Sequence, residues 1–380
     1  MKLLPESEVQ HLIRQGSDHA PLQLICNTCQ EIGIKPFRFL NFWTKHQGFM
    51  NQVEQSWGEE VRGSPFAIVQ TKLKRLKSDL SKWSKETFGN IFQKIATLEY
   101  VIKMKEIQLE VSPTEANRAD LNKANAELKR YLKIEEEYWK QKAGMRWFKE
   151  GERNTKFFHS YVKGRRKKLI ISEITTRQGN KITSTQNIGE EAVGVFHAQF
   201  KEGQEIEDYS LLQNIPNLIK AEQNEEMERL PTEDEVKKVV FSLNGDSASG
   251  LDGFSGQFFQ SCWNIIREDI TNMVRAFFCG QELPRYITHT NLTLIPKKES
   301  IGTFGDLRPI SLSTFVNKII SKVVQERMVI VLPEIISTNQ TGFVRGRSIT
   351  ENVLLGNNQG YSHKRQATQC CSKTRHDKGI

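Results

Sequence analysis

Cysteine is scarce in this sequence: Cys26, Cys29, Cys262, Cys279, Cys370 and Cys371 are the only six in 380 residues. So few, so widely scattered, cannot staple a fold together, and reduced thiols in the nucleus or cytoplasm are expected. Long apolar runs are missing too. No stretch approaches the ~20 residues that cross a bilayer, and Met1 is followed by no apolar leader, so neither a membrane partner nor secretion is expected. Clustered metal ligands are also lacking. Cys26-Asn27-Thr28-Cys29 has the C-x-x-C spacing of a zinc knuckle, but no second pair follows at finger spacing, and no metal site is expected.

Positive charge is what the chain has in excess. Against 45 Asp and Glu stand 54 Lys and Arg, a net +9, which suits RNA or DNA as partner without specifying any reaction. With 37% hydrophobic and 26% charged residues, the chain reads as a polar protein of two or three domains with a modest core.

Helical spacing governs residues 64–144. Val69, Leu73, Leu76, Leu80 and Trp83 step by four and three, and Ile91, Ile95, Leu98 and Ile102 resume the step after Gly89. Pro113 interrupts it, and Leu121, Leu128, Leu132, Tyr138 and Trp139 carry another helix. An antiparallel hairpin is the simplest outcome, with self-association through helices 66–110 and 116–143 as the competing use of the same stripes.

Cations and aromatics then alternate: Arg146, Trp147, Phe148, Lys149, Arg153, Lys156, Phe157, Phe158, His159, Tyr161, and the run Arg165-Arg166-Lys167-Lys168. Stacking faces beside phosphate-neutralising charge suit single-stranded nucleic acid. The alternative is that the aromatics are core and 165–168 a solvated turn. Residues 169–174 and 181–183 read as a β-hairpin, and 202–228 as a loosely ordered acidic connection.

The most informative stretch is 291–355. Leu292, Leu294 and Ile295 form a short strand stopped by Pro296. Lys297 and Lys298 precede a Gly-containing loop, and Asp306-Leu307-Arg308-Pro309 opens a second strand. Lysine at one base and arginine at the other place cations where a triphosphate fits between them; a solvated basic hairpin is the plain alternative. Val316, Ile319, Ile320, Val323, Val324 and Met328 then predict an amphipathic helix over 317–331, ended by Pro333. Gln340-Thr341-Gly342-Phe343-Val344-Arg345-Gly346-Arg347 joins two glycines, an aromatic and two arginines, which lets backbone approach a phosphate chain.

This block, with GDSASGLDGFSGQFFQSCW at 245–263 upstream of it, resembles the fingers region of the reverse transcriptase of LINE-type (non-LTR) retrotransposons, plant elements most of all. RWFKEGERNTKFFH at 146–159 resembles the linker upstream of the same polymerases. The resemblance implies that Lys297, Lys298 and Arg308 touch the phosphates of an incoming nucleotide. It implies template contact for Gln340, Phe343 and Arg347, and nucleic-acid contact for Arg146, Trp147, Lys149, Arg153, Lys156, Phe157, Arg165, Arg166, Lys167 and Lys168. Ser17-Asp18-His19 resembles the last motif of the APE-like endonuclease that such elements carry ahead of the polymerase. The 16 residues before it cannot supply that enzyme's acidic metal ligands, so Asp18 and His19 are expected to be relics. Residues 36–43 resemble the segment after the endonuclease and read as an orphaned edge strand or sticky loop.

Polymerases of this kind use Mg²⁺ held by carboxylates from K-L-D-M-T-K-A-Y-D and Y-A-D-D motifs. Neither motif occurs in these 380 residues, so the resemblance implies no catalytic residue and no bound cofactor here. Lys373-Thr374-Arg375-His376-Asp377-Lys378-Gly379-Ile380 can be encoded by synonymous codons from which one deleted A yields K-L-D-M-T-K-A-Y, and on that choice of codons the tail is expected to be a frameshifted first palm motif.

The expected fold is α+β: a helical hairpin linker plus an incomplete fingers subdomain without its palm. The expected parts are an endonuclease stub at 1–43, a helical linker at 64–145, a basic aromatic linker at 146–228, the fingers at 230–355 and the altered tail at 356–380. Without a palm, the apolar face of the 317–331 helix is expected to be exposed. The expected function is a reverse-transcriptase fragment unable to polymerise, the alternative a non-catalytic RNA- or DNA-binding protein.

Overall fold

The computed structural model describes residues 6–11, 22–27, 36–144, 155–201, 210, 216–298, 300–337, 340, 344 and 346–347. Helices dominate them, with three separate two-stranded sheets, consistent with an α+β class. Strands β1 (Glu6–His11) and β2 (Leu22–Asn27) pair antiparallel, Glu6 opposite Asn27. A 3-10 turn (Asn41–Lys45) leads into α1 (Phe49–Gly58) and α2 (Pro65–Thr87).

Local sequence sets the helix ends. The Ser64 hydroxyl accepts the Ala67 N–H and Pro65 fills the first turn of α2, where its missing N–H costs nothing. The apolar stripe runs on past Thr87, but the helix does not. Asn90 accepts the Gln93 N–H and starts a new helix, α3 (Ile91–Val111), so the single stripe of the sequence is two helices. Thr114 caps α4 (Glu115–Ala143) in the same way. Gln108 meets Asn117, Lys105 meets Asp120 and Lys94 meets Glu127, partners that fall along one helix as they rise along the other. The expected antiparallel hairpin is therefore formed by α3 and α4.

Next come α5 (Thr155–Leu169), β3 (Ile174–Thr175), β4 (Lys181–Ile182) and α6 (Thr185–Lys201). The predicted hairpin shrinks to two residues per strand because α5 runs through Leu169. The acidic connection is not loose throughout: 221–228 form α7 (Ala221–Glu228). The remaining elements are α8 (Glu233–Ser242), α9 (Gly256–Ser261), α10 (Trp263–Phe278), α11 (Arg285–Thr288), β5 (Asn291–Pro296), β6 (Leu307–Leu312) and α12 (Phe315–Ile335). Helix α12 is longer than predicted, with Pro333 inside its last turn rather than after its end.

One hydrophobic core joins distant parts of the chain. It takes Phe39, Trp43, Phe49, Trp57, Phe66 and Leu76 from the N-terminal half, and Val236, Phe254, Phe258, Ile266, Ile319 and Val323 from the other. Two expectations are corrected by this. Residues 36–43 are neither edge strand nor sticky loop: Phe39, Phe42 and Trp43 are buried. The face of α12 carrying Val316, Ile319, Ile320 and Val323 is covered, with α7, α8, α10 and α11 as the neighbours of the helix. Each fully buried large side chain is worth about 1.5–3 kcal/mol, which favours this closure over an open fingers fragment.

Polar contacts fix the geometry. The Trp57 indole N–H and the Lys72 ammonium both donate to Asp269, each at 2.8 Å, tying α1 and α2 to α10. Arg327, only 6% exposed, gives Nε and Nη2 to the Glu235 carboxylate at 2.8 and 3.0 Å and Nη1 to the Met227 and Arg229 carbonyls. Its guanidinium lies 4.5 Å from the Phe278 ring centroid. Hydrogen bonding to Arg327 holds the Glu235 carboxyl below its ordinary range. This clamp sets α7 and α8 on α12.

The two halves also meet backbone to backbone at Gly253. Its φ is +81°, its carbonyl accepts the Phe39 N–H at 2.9 Å, and a Cβ there would lie 2.2 Å from the Phe37 oxygen. Gly253→Ala is expected to destabilise the protein by about 2 kcal/mol or more beyond the ~1–2 kcal/mol expected for Gly179→Ala, whose φ of +86° faces open space. Urea midpoints compare the two; equal losses would contradict this account of the contact.

Candidate nucleotide and nucleic-acid interface

The β5–β6 hairpin carries the predicted phosphate-binding cations. Its register places Ile295 opposite Arg308 and Pro296 opposite Leu307, and the Lys297 N–H extends the ladder to the Asp306 carbonyl at 2.8 Å. Side chains alternate along a strand, so Arg308 shares a face with Ile295 and with Lys297 two residues on. The Lys297 ammonium donates to the Gly305 carbonyl at 2.9 Å.

Asp306 organises the loop between the strands. Its carboxylate accepts the Gly302 and Thr303 N–H groups at 2.9 and 3.0 Å and pairs with the Lys298 ammonium at 2.9 Å. These contacts, Lys298 first, hold its carboxyl well below the usual carboxylate range. Arg308 is exposed and has no hydrogen bond or ion pair among the described residues. Of the three predicted cations, Lys298 is thus neutralised locally, Lys297 lies on its own loop, and Arg308 is open to an anion.

The loop rests on a second small core. Phe304 and Leu307 are buried with Ile174, Ile188 and Phe196, and the Phe196 and Phe304 rings meet edge to face at 6.0 Å. The Thr175 N–H donates to the Gly302 carbonyl at 2.8 Å. The residues before the fingers block therefore support its hairpin, which sequence spacing did not reveal.

The glycine-rich block 245–256 packs on the start of α12. Thr314 caps that helix by accepting the Asn317 N–H, and Lys318 donates to the Ala248 carbonyl at 3.2 Å. Asp252 lies below, one oxygen accepting the Phe254 N–H at 3.4 Å and the other buried without a hydrogen-bond partner among the described residues. Burial raises the Asp252 pKa to about 6 and lowers that of Lys318, outweighing their attraction in both cases.

Other predicted residues separate. Arg347 gives its guanidinium to the carbonyls of Ser337, Gln340, Pro333 and Ile336, closing the C-terminal end of α12. The Gln340 side chain is exposed. In α5 the two readings of the aromatics divide between positions. Phe158 is buried with Val162 and Ala143, whereas Phe157 and Tyr161 are exposed and stack at 6.3 Å. Lys156, Arg165, Arg166, Lys167 and Lys168 lie on α5, so 165–168 are helix and not a turn. Asp18, His19, Arg146, Trp147, Lys149, Arg153, Phe343 and the tail from 356 lie outside the described residues.

Among the described residues no group of three or more His, Cys, Asp or Glu converges to hold a metal ion. Asp252, which interacts with Lys318, and Asp306, which pairs with Lys298, belong to different loops and form no such group. No helix is long and apolar enough to cross a membrane, again among the described residues.

No family model matches the chain. The "Transposon TX1 uncharacterized 149 kDa protein" of Xenopus laevis is similar to it, 23% identical over 326 residues, which are 84% of this chain and 25% of the relative. The likeness is to a transposon protein. The chain spans about a quarter of that relative's length. An alignment of this extent takes in both the α2–α4 helices and the β5–β6 hairpin wherever it begins.

Asp306→Ala should speed amide exchange at Gly302 and Thr303 while leaving the helical core protected, as read by hydrogen–deuterium exchange; unchanged loop amides would refute the hub role. The folded pKa of Asp252, about 6, lies above its ordinary 3.8, so the folded protein binds this proton more tightly. Stability should therefore rise by about 1 kcal/mol as pH falls from 7 to 5, and Asp252→Asn should remove that rise. Urea titrations at the two pH values test it, and parallel behaviour of the two proteins would count against it.

Proposed function

We propose that the chain descends from the reverse transcriptase of a LINE-type (non-LTR) retrotransposon and retains the grip of that enzyme without its chemistry. The observation that carries this reading is the hairpin: motif-bearing strands β5 and β6 bring Lys297 and Arg308 to one face, within a chain similar over most of its length to a transposon protein. Arg308 has no described acidic partner and would meet a triphosphate, with Lys297 beside it. Lys298 holds the loop through Asp306 and reaches phosphate only by leaving that pair. Asp18 and His19 are relics of the APE-like endonuclease in this reading. Plant elements of this kind are the nearest source by motif.

Mg²⁺ in such polymerases neutralises the charge that builds on the transferring phosphoryl group. These 380 residues contain neither carboxylate motif that would hold it. Positioning without metal ligands gives binding and no transfer.

A second reading, a non-catalytic RNA- or DNA-binding protein, is favoured by the exposed Phe157–Tyr161 stack on the same helix as Arg165. Primer extension with the purified 380-residue protein, an RNA template and Mg²⁺ is expected to yield no product. Magnesium-dependent incorporation that persists after repurification would overturn the inactive reading. Salt-sensitive RNA retention without synthesis would agree with both.

A further inference from the structure

Helix α2 carries a face that neither the hairpin nor the aromatic block explains. Lys74, Lys77, Lys82 and Lys85 line a shallow open concavity of about 610 Å³ together with Ser78 and Ser81, and Glu86 is the one carboxylate in the lining. The spacing of three, five and three residues puts all four lysines on one side of the helix, over a length of about 16 Å. The opposite side is the buried stripe of Val69, Leu73, Leu76 and Leu80, so the ridge is held rigidly by the core.

Several cations nearby are paired, whereas most of the ridge is not. On the same helix Lys72 pairs with Asp269 and Arg75 with Glu59, and on the hairpin Lys94, Lys105 and Lys140 each have a carboxylate. Lys74, Lys82 and Lys85 are exposed and have no ion pair among the described residues. Lys77 lies 5.8 Å from the Phe37 ring centroid, and Phe37 in turn packs on Phe254. The ridge therefore adjoins the glycine-rich block that supports α12.

We propose that this face of α2 binds the phosphodiester backbone of a nucleic acid, a second binding surface remote in sequence from the hairpin. The inference rests on the nucleic-acid partner of the proposed function and adds the surface that would track the strand. Lysines spread along about three turns of one helix side meet successive phosphates as point charges, and without bidentate groups they read charge and not sequence. An acidic protein segment is the competing occupant, disfavoured because the ridge lacks exposed apolar side chains to anchor one.

The test uses the full chain and three labelled 20-nucleotide probes, single-stranded RNA, the same sequence as DNA, and an RNA–DNA hybrid, titrated by anisotropy over a range of KCl. Lys74→Gln/Lys82→Gln/Lys85→Gln should weaken binding of at least one probe by about tenfold at low salt and make its salt slope shallower by about 2, near 0.7 for each phosphate of a single strand that a lysine no longer neutralises. The probe most affected names the nucleic acid. Lys103→Gln/Lys123→Gln/Lys129→Gln, removing three exposed lysines from the hairpin of α3 and α4, should leave the slopes unchanged, and circular dichroism should show both variants folded. An unchanged slope in the α2 variant, an equal weakening in the α3–α4 variant, or competition by polyglutamate as strong as by RNA would each overturn the proposal. Wild-type protein that binds none of the probes removes the nucleic-acid reading and this inference together. Binding abolished only in Lys297→Gln/Arg308→Gln removes this inference alone.

Discussion

The seat of residues 37–43 on the glycine-rich loop is the contact on which the rest of the structure depends. Phe39 sits between Phe49 and Phe258, and Phe37 and Phe254 approach to 5.2 Å, so one aromatic cluster draws on chain segments about 215 residues apart. Such pairs add roughly 0.5–1.5 kcal/mol each beyond the area they bury. Polar bonds stitch the same seam. Asn41 donates to Asp246 and accepts from Ser255, each at 3.0 Å, and Gln141 holds the Phe39 carbonyl and the Asn41 N–H, each at 2.8 Å. Because Gln141 is near the end of α4, this seam also anchors the base of the α3–α4 hairpin.

From that seam the supports reach the β5–β6 hairpin in order. The glycine-rich loop sets α12, and α12 is the helix that β6 feeds. Arg327 then fixes α8, while α6 and the β3–β4 pair hold the loop between β5 and β6 from the other side. The cations on β5 and β6 have two separate packed foundations, and neither comes from the hairpin itself.

Much of this was legible in residue order, and the failures share a cause. The β5–β6 strands, the helix after them and the α3–α4 pairing follow from local alternation, spacing and turn residues, and all are present. Long-range partners leave no local mark. Phe37, Phe39, Phe42 and Trp43 read as stranded aromatics because their neighbours lie two hundred residues on. The apolar face of α12 reads as uncovered for the same reason. The burial of Arg327 depends on Glu235 and two carbonyls that periodicity does not reveal. Of the candidate site, the shared face of Lys297 and Arg308 follows from strand register, whereas the neutralisation of Lys298 by Asp306 and the use of Arg347 at the end of α12 depend on loop conformation. The lysine ridge was visible only as unassigned charge between apolar positions.

A core shared by residues 39–95 and 236–323 also constrains the order of events on the ribosome. Synthesis at about 5–20 residues per second separates the first aromatic cluster from the helix that covers it by tens of seconds. Throughout that interval Phe39 and Trp57 are in the nascent chain without Phe258 and Asp269, their partners from the later half. The packing of α1 on α2, which is part of the final fold, is the cover open to them until α10 and α12 emerge.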